Sequence, residues 1–288
     1  MSPTSIPTSI PTRVGVLGGG RMGAGIAHAF VLAGAEVVVV ERDEATAAAA
    51  RDRVESSLRA SVDRATTSED LATLTGRLSV STDYDDFTGR GLVVEAVPED
   101  VDLKVTALTE VEKRLGANAW LATNTSSLSV DVLAARLRHP ERFCGLHFFN
   151  PVPASGLVEV VIGGQTGDEL RDLAPAWVHD LGKTPVVVRD APGFASSRLG
   201  VAIGLEAIRM LEEGVASAED IDAAMVLGYK YPIGPLKLTD IVGLDVRLDI
   251  ADYLASTLGD RFAPPQLLRD KVAAGELGKK SGRGFYDW

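Results

Sequence analysis

A histidine and a glutamate lie at mirrored positions around a turn-rich segment. His147 and Glu159 belong to two apolar stretches, and Pro153 falls midway between them. If these stretches pair as a hairpin centred on the proline, the two side chains face each other. A carboxylate there fixes the imidazole tautomer, so that the second ring nitrogen can take the proton of an alcohol while hydride leaves the carbon. The alternative is a histidine packed in the core.

A glycine-rich loop supplies a partner for that chemistry. The glycines Gly18, Gly20 and Gly23 follow a short apolar stretch and open a helical pattern. This spacing is typical of a turn that brings the backbone close to a dinucleotide pyrophosphate. Glu41 ends the next apolar stretch, where a carboxylate binds ribose hydroxyls and disfavours the 2′-phosphate of NADP. The pattern therefore predicts NAD, although Arg42 beside it would tolerate a phosphate, and a flavin or an empty site is the other interpretation.

The composition excludes several classes of partner. The formal net charge of −11 argues against nucleic acids and anionic membranes as partners. The lone cysteine, Cys144, excludes an internal disulfide and is typical of a reducing compartment, so we expect a cytoplasmic protein. The four histidines show no metal-ligand spacing, so no metal site is expected. Residues 1–12 are rich in Ser, Thr and Pro, and we expect a flexible tail there rather than a signal peptide.

Alternating strands and helices must position these residues. Apolar stretches predict strands at 13–17, 36–40, 92–97, 120–123, 143–149, 157–162 and 185–188. Helical patterns lie between them at 22–33, 44–74, 101–115 and 168–181. This alternation predicts an α/β fold with a Rossmann-type, doubly wound, mostly parallel sheet.

The remainder of the chain has a different pattern. Helices are predicted at 194–213, 218–227, 235–258 and 265–274, which together form a smaller all-α domain. We therefore expect a dinucleotide-binding domain at 13–190 that carries the His–Glu pair, and a substrate and dimerisation domain at 191–288. Apolar residues surround most of the helix at 194–213, which favours a homodimer through this domain.

Several motifs resemble those of one enzyme family. From residue 13 to residue 288 the chain is similar to the short-chain L-3-hydroxyacyl-CoA dehydrogenases, including the bacterial 3-hydroxybutyryl-CoA dehydrogenases. The resemblance rests on GGGRMGAG (18–25), EAVPED (95–100), NTSSL (124–128), HFFNPVP (147–153), LVEV (157–160), PIGP (232–235) and GKKSGRGFY (278–286).

The resemblance assigns further roles. It implies that His147 is the catalytic base, that Glu159 orients it, and that Ser126 lies within hydrogen-bond reach of the substrate oxygen. Positions that contact the cofactor in the family correspond to Met22, Ala96, Glu99, Lys104, Asn150 and Lys280, in addition to the glycine loop and Glu41. Ser57 and Arg64 correspond to residues that touch the CoA portion of the substrate. For Arg64, a solvated helix face is the alternative.

One position departs from the family pattern. The family has Asn in a Gly-Phe-x-x-Asn-Arg sequence, where it helps to polarise the substrate carbonyl, and this chain has Ser197. Either the serine hydroxyl substitutes for the amide, or the acyl group differs.

We expect reversible, NAD-dependent oxidation of a short L-3-hydroxyacyl-CoA. A free hydroxy acid or sugar acid as substrate is the first alternative. A non-catalytic dinucleotide-binding protein is the second.

Overall fold

The computed structural model describes residues 10–288, in two compact units that meet in sequence between Asp190 and Ala191. The expected tail therefore lies mostly outside the described residues. Of its last three residues, Ile10 donates its backbone N–H to the Asp180 carboxylate at 2.9 Å and packs against the core of the first unit.

A single sheet of eight strands forms the centre of the first unit. Its strands are β1 (Arg13–Leu17), β2 (Glu36–Val40), β3 (Leu78–Ser81), β4 (Leu92–Glu95), β5 (Trp120–Thr123), β6 (Phe143–Phe148), β7 (Leu157–Ile162) and β8 (Thr184–Arg189). They lie in the order β3-β2-β1-β4-β5-β6-β7-β8, and only β6 and β7 pair antiparallel. The predicted α/β fold with a mostly parallel, Rossmann-type sheet is confirmed.

Six helices accompany the sheet. They are α1 (Arg21–Leu32), α2 (Glu44–Asp63), α3 (Leu71–Gly76), α4 (Val101–Glu112), α5 (Val130–Ala134) and α6 (Asp168–Asp180). The four valines of β2 are at most 1% exposed, as expected for a parallel strand covered on both faces. One core cluster joins the inner strands to the helices α1, α2 and α6.

The prediction of one helix over 44–74 was wrong. α2 ends at Asp63, and Ala65 then takes a positive φ of 52°, which an α-helix cannot contain. A new helix, α3, begins after Asp70, whose carboxylate accepts the Thr73 N–H at 2.7 Å. The strand β3 that follows was not predicted, because a four-residue edge strand with one buried residue, Leu78, has little apolar pattern.

Parallel pairing gathers five strand ends at one edge of the sheet. Because β2, β1, β4, β5 and β6 run in the same direction, their carboxyl ends meet there. The glycine loop follows β1, Glu41 follows β2, and the segments after β4 and β5 carry Ala96 and Ser126. His147 lies near the end of β6. The topology therefore brings these predicted site residues to the edge where doubly wound sheets bind ligands.

The second unit is helical. Its helices are α7 (Ser196–Glu212), α8 (Ala218–Ala223), α9 (Pro235–Val242), α10 (Leu244–Leu258) and α11 (Gln266–Ala273), and a π-helical segment at 224–228 follows α8. The single helix predicted over 235–258 was wrong, because Gly243 adopts a φ of 108° and separates α9 from α10. The predicted burial of α7 holds on one face, where Val201 and Leu205 are buried, whereas Leu199 is 62% exposed.

Candidate active site

The hairpin of β6 and β7 joins the histidine and the glutamate. The register pairs His147 directly with Glu159, as the mirrored spacing predicts. His147 Nδ1 lies 2.8 Å from Glu159 Oε2, and the two residues are 6% and 0% exposed. A fully buried carboxylate at this distance fixes the ring orientation and assigns the Nδ1 proton to the hydrogen bond. Nε2 is then the ring atom suited to proton transfer.

The turn of this hairpin is built from its own backbone. Ala154 and Ser155 both donate their N–H groups to the Pro151 carbonyl at 3.0 Å. Phe149 begins the turn and packs its ring against the His147 imidazole, with 4.4 Å between ring centroids. The turn therefore starts two residues after His147, and Asn150 is its second residue.

The three motif glycines serve separate purposes. Gly18 has a φ of 89° and donates its N–H to the Val40 carbonyl at 2.9 Å, which fixes the sharp turn after β1. A Cβ on Gly23 would lie 1.7 Å from the Gly18 carbonyl oxygen, so only glycine allows α1 to approach β1 this closely. A Cβ on Gly20 would meet no atom within 4 Å, because this glycine faces open space.

These features fit a dinucleotide. Gly20 is the N-cap of α1, and no side chain caps the helix there, so the first N–H groups suit a pyrophosphate in the open space beside Gly20. Ala96 donates its N–H to the Leu17 carbonyl at 2.8 Å, and its own carbonyl lies next to Gly18. Met22 is half-buried against the core.

Glu41 is held beside the glycine loop. Its Oε1 accepts the Gly19 N–H at 2.6 Å, and its Oε2 accepts the Arg42 N–H at 3.1 Å. Each carboxylate oxygen retains a second acceptor position for a ribose hydroxyl. The Arg42 guanidinium pairs with Asp43 at 3.0 Å, so its charge is already matched by a carboxylate. Both contacts favour NAD over NADP.

Glu99 accepts several hydrogen bonds from the loop that contains Ser126. Its Oε1 accepts the Thr125 hydroxyl at 2.6 Å, the Ser126 N–H at 2.9 Å and the Ser127 N–H at 3.2 Å. Burial raises the pKa of Glu99, but the Lys104 charge and the hydrogen bonds from Thr125 and Ser126 outweigh it and hold that pKa below its usual value. Glu99 therefore stays ionised and orders the serine loop.

Lys104 lies beneath this loop and is 1% exposed. Its ammonium is 2.7 Å from Glu95 and 3.3 Å from Glu99, and it also donates to the Val97 carbonyl at 3.0 Å. Its described contacts are thus within the protein, and its predicted cofactor contact stays a prediction. Glu95 is fully buried and also accepts the Thr123 hydroxyl at 2.6 Å.

A groove of about 630 Å³ runs between α1, α2 and the hairpin turn. Asn150 and Ser57, two predicted site residues, line it together with Arg21 and Arg53. The described ion pairs include neither of these arginines, so both positive charges are available to an anionic ligand. Arg53 also donates to the Gly19 carbonyl at 3.2 Å, which places it between the groove and the glycine loop.

Three further predicted residues lie elsewhere. Arg64 is the exposed C-cap residue of α2, seven residues beyond Ser57. Ser197 lies in the first turn of α7, and Lys280 pairs with Asp245 at 2.5 Å, both within the second unit. The contributions predicted for these three residues stay predictions.

Three residues that support the site, Asn124, Arg53 and Glu95, were not predicted from the sequence. Asn124 accepts the Phe148 N–H at 2.8 Å and so ties the serine loop to the end of β6. Arg53 precedes Ser57 by four residues on the same helix, a spacing that would have revealed it. The buried contact between Glu95 and Lys104 could not be predicted, because the sequence around a carboxylate at a strand end does not indicate its partner.

Residues 10–288 contain neither a candidate metal cluster nor a helix suited to a membrane. No group of three or more His, Cys, Asp or Glu side chains in that range is arranged to hold a metal ion. None of its helices has both the length and the apolar content that crossing a bilayer requires.

Solved structures resemble the chain over nearly its whole length. An (S)-3-hydroxybutyryl-CoA dehydrogenase from Ralstonia eutropha superposes with a TM-score of 0.92 at 41% identity, covering 97% of this chain and 99% of the other. Among curated proteins, a 3-hydroxybutyryl-CoA dehydrogenase of Mycobacterium tuberculosis is 42% identical, covering 96% of this chain and 98% of the relative. A probable 3-hydroxybutyryl-CoA dehydrogenase of Deinococcus radiodurans is 40% identical, covering 96% and 100%.

Two family models match consecutive parts of the chain. The NAD binding domain of 3-hydroxyacyl-CoA dehydrogenase matches residues 13–191, which contain the glycine loop and the His–Glu pair. The C-terminal domain of 3-hydroxyacyl-CoA dehydrogenase matches residues 193–288. With a dinucleotide loop, a buried His–Glu pair and both domain matches in place, the chain belongs to the 3-hydroxyacyl-CoA dehydrogenase family.

Proposed function

We propose that this chain catalyses the reversible, NAD-dependent oxidation of a short L-3-hydroxyacyl-CoA to the 3-oxoacyl-CoA. The observation that carries the proposal is the 2.8 Å contact between His147 and the fully buried Glu159, at the same sheet edge as the glycine loop. The short acyl chain is inferred from the relatives described as 3-hydroxybutyryl-CoA dehydrogenases.

Proton transfer is assigned to the hairpin. His147 Nε2 takes the proton of the substrate hydroxyl while Glu159 holds Nδ1 and offsets the charge of the imidazolium that forms. Bound NAD supplies the acceptor for the hydride that leaves C3, so the carbinol becomes a ketone and the two electrons leave with the hydride. In the reverse direction His147 returns the proton to the oxygen.

Hydrogen-bond donors complete the proposed site. Ser126 donates to the substrate oxygen from a loop that Glu99 orders, and Asn150 lines the groove one residue after Phe149. We assign Ser197 the position of the family asparagine, as a shorter hydroxyl donor. Fixed donors of this kind stabilise charge that develops on oxygen without rearranging during the reaction.

The thioester portion is assigned to the groove between α1 and α2. CoA carries several phosphate charges on a long flexible arm, and Arg21 and Arg53 present matching cations in a chain whose net charge is −11. A free hydroxy acid has no group that reaches this groove and the base together. Two cations against one carboxylate, Asp52, leave the groove lining net positive, which favours the CoA thioester.

A homodimer and a cytoplasmic location belong to the same proposal. Leu199, Val215 and Leu227 are each more than half exposed on the helical unit, and such apolar exposure supports an interface with a second copy. The single cysteine, Cys144, is buried and unpaired, as suits a reducing compartment. A monomeric mass at micromolar concentration would contradict the dimer.

One assay tests the proposed reaction. Purified protein is given acetoacetyl-CoA or free acetoacetate, with NADH or with NADPH. We expect rapid oxidation of NADH with the CoA ester and at least tenfold lower kcat/KM in the other three combinations. Turnover of acetoacetate alone would indicate a free hydroxy acid as substrate. Binding of NADH without turnover of either compound would indicate a non-catalytic protein.

A further inference from the structure

A lysine outside the proposed site donates hydrogen bonds to the turn that follows His147. Lys183 lies between α6 and β8 and is half-buried. Its ammonium donates to the Val152 carbonyl at 2.7 Å and to the Ser155 carbonyl at 2.5 Å. Both acceptors belong to the turn between β6 and β7. One cation thus joins two points of the turn that starts two residues after His147.

The same turn is held on its other sides by packing and by backbone contacts. Val152 is 2% exposed, and a Cβ on Gly25 of α1 would come within 2.8 Å of it, so helix and turn are in close contact. Thr184, the residue after Lys183, donates its N–H to the Gly156 carbonyl at 2.7 Å. These contacts hold the Val152 side chain and the end of the turn at Gly156, and Lys183 adds the charged donor that joins the carbonyl groups of Val152 and Ser155.

The charge of Lys183 is directed at carbonyl groups. None of the ion pairs described for residues 10–288 involves this lysine, and burial lowers its pKa. His28 nearby is buried, and its pKa falls to about 4 because of that burial and the Lys183 charge, so it remains neutral. Partial burial of a cation without an ion pair costs desolvation free energy, which its two hydrogen bonds to carbonyl groups offset.

We infer that Lys183 is a positioning residue for the oxidation. It fixes the turn between β6 and β7, and this turn sets the positions of Asn150 and of the end of β6 that carries His147. This inference rests on the proposed function. Without the ammonium, two carbonyl groups of the turn lose their charged donor, and the turn gains alternative positions. A shift of about 1 Å at reacting groups can lower a rate roughly 100-fold.

The first test replaces lysine by methionine, whose unbranched side chain is one atom shorter and carries no charge. In the Lys183→Met variant we expect kcat with acetoacetyl-CoA to fall by about 10- to 100-fold. The Kd for NADH should change much less than kcat, because the described hydrogen bonds of Lys183 go to the hairpin turn and not to the glycine loop. Amide hydrogen exchange of residues 149–156, measured without substrate, should accelerate. Unchanged exchange together with unchanged kcat would overturn the inference.

A rescue experiment separates positioning from general loss of structure. The Lys183→Cys variant is alkylated with 2-bromoethylamine, which rebuilds a lysine-like ammonium at position 183. Cys144 should not react, because it is buried and burial raises its thiol pKa to about 12. We expect aminoethylation to restore most of kcat and the slow exchange of the turn, whereas alkylation with neutral iodoacetamide should not. If Lys183→Met does not fold, this variant and Lys183→Arg carry the test.

Arg77 provides a matched control in the same unit. Its guanidinium bridges Glu69, with 2.7 Å between Nη2 and Oε1, and also reaches the Val31 carbonyl at 3.4 Å, near the β3 edge of the sheet. The Arg77→Met variant should lose stability yet keep kcat and the exchange of residues 149–156. Equal kinetic losses in the Arg77 and Lys183 variants would overturn the inference. Absence of wild-type turnover would instead contradict the proposed function, while the exchange result would still report on the turn.

Discussion

Two glutamates of the first unit are equally buried and have different neighbours. Glu95 ends β4 and Glu159 lies in β7, and both side chains are 0% exposed. Glu95 is bound by the Lys104 ammonium at 2.7 Å and by a threonine hydroxyl at 2.6 Å. Glu159 is bound by His147 at 2.8 Å.

The difference lies in what each partner can do with a proton. Lys104 is 1% exposed and lies between the carboxylates of Glu95 and Glu99, so its pair with Glu95 acts as an anchor beneath the serine loop. An imidazole can take up and release a proton during a reaction, and His147 lies near the carboxyl end of β6. Burial of a carboxylate therefore does not indicate catalysis; the chemistry of its partner does.

The largest effect is expected at the base itself. In the His147→Gln variant, kcat should fall by about 10⁴-fold, because no group remains to take the hydroxyl proton. The fold and the glycine loop are untouched, so the Kd for NADH, measured by fluorescence, should stay within about threefold. Loss of NADH binding would show that His147 serves the cofactor and would remove the contrast with Glu95.

The partner of the base should follow. In the Glu159→Gln variant, we expect kcat to fall by about 10³-fold, because an amide NH₂ can donate to Nδ1 and so impose the wrong tautomer on the ring. Steady-state kinetics at saturating NAD measures the effect. The matched control is Glu95→Gln, the same change at equal burial. A similar kcat per folded molecule in the two variants would break the comparison.

Glu95 should affect stability more than catalysis. The Glu95→Gln variant removes one charge of a buried pair, which should lower the free energy of unfolding by about 3 kcal/mol, near the low end for such pairs because Glu99 still faces Lys104. Urea unfolding monitored by circular dichroism measures this change. An unaltered midpoint would show that Lys104 is satisfied without Glu95.

The smallest effect should depend on pH. The pKa of Glu99 is held below its ordinary value, chiefly by the Lys104 charge acting against burial, so its ionised form stabilises the fold. The stability difference between wild type and Glu99→Gln should be fully present above the ordinary pKa of 4.5 and disappear as the pH falls through the lower folded value. Urea midpoints between pH 7 and pH 3 would show this. A difference that grows toward acid would contradict the direction.

Local patterns sufficed where neighbours in sequence decide the outcome. The mirrored spacing about Pro153 predicted the pairing of His147 with Glu159, since a turn fixes the register of its two strands. The glycine spacing predicted the sharp turn at Gly18 and the close approach at Gly23. The break of α2 at Ala65 escaped prediction, because the polar residues around it suit a solvated helix equally well.

The sequence by itself determined the α/β order of elements, the dinucleotide loop and the register of the hairpin that carries His147 and Glu159, because each depends on periodicity or on a turn a few residues long. Only the tertiary structure decided that Lys104 points into the protein between two glutamates. It also brought Arg21 and Arg53 to one groove and Lys183 to the hairpin turn. Arg21 and Arg53 are 32 positions apart in the chain, and Lys183 and Val152 are 31 apart. The direction of a long charged side chain depends on neighbours that only the folded chain supplies.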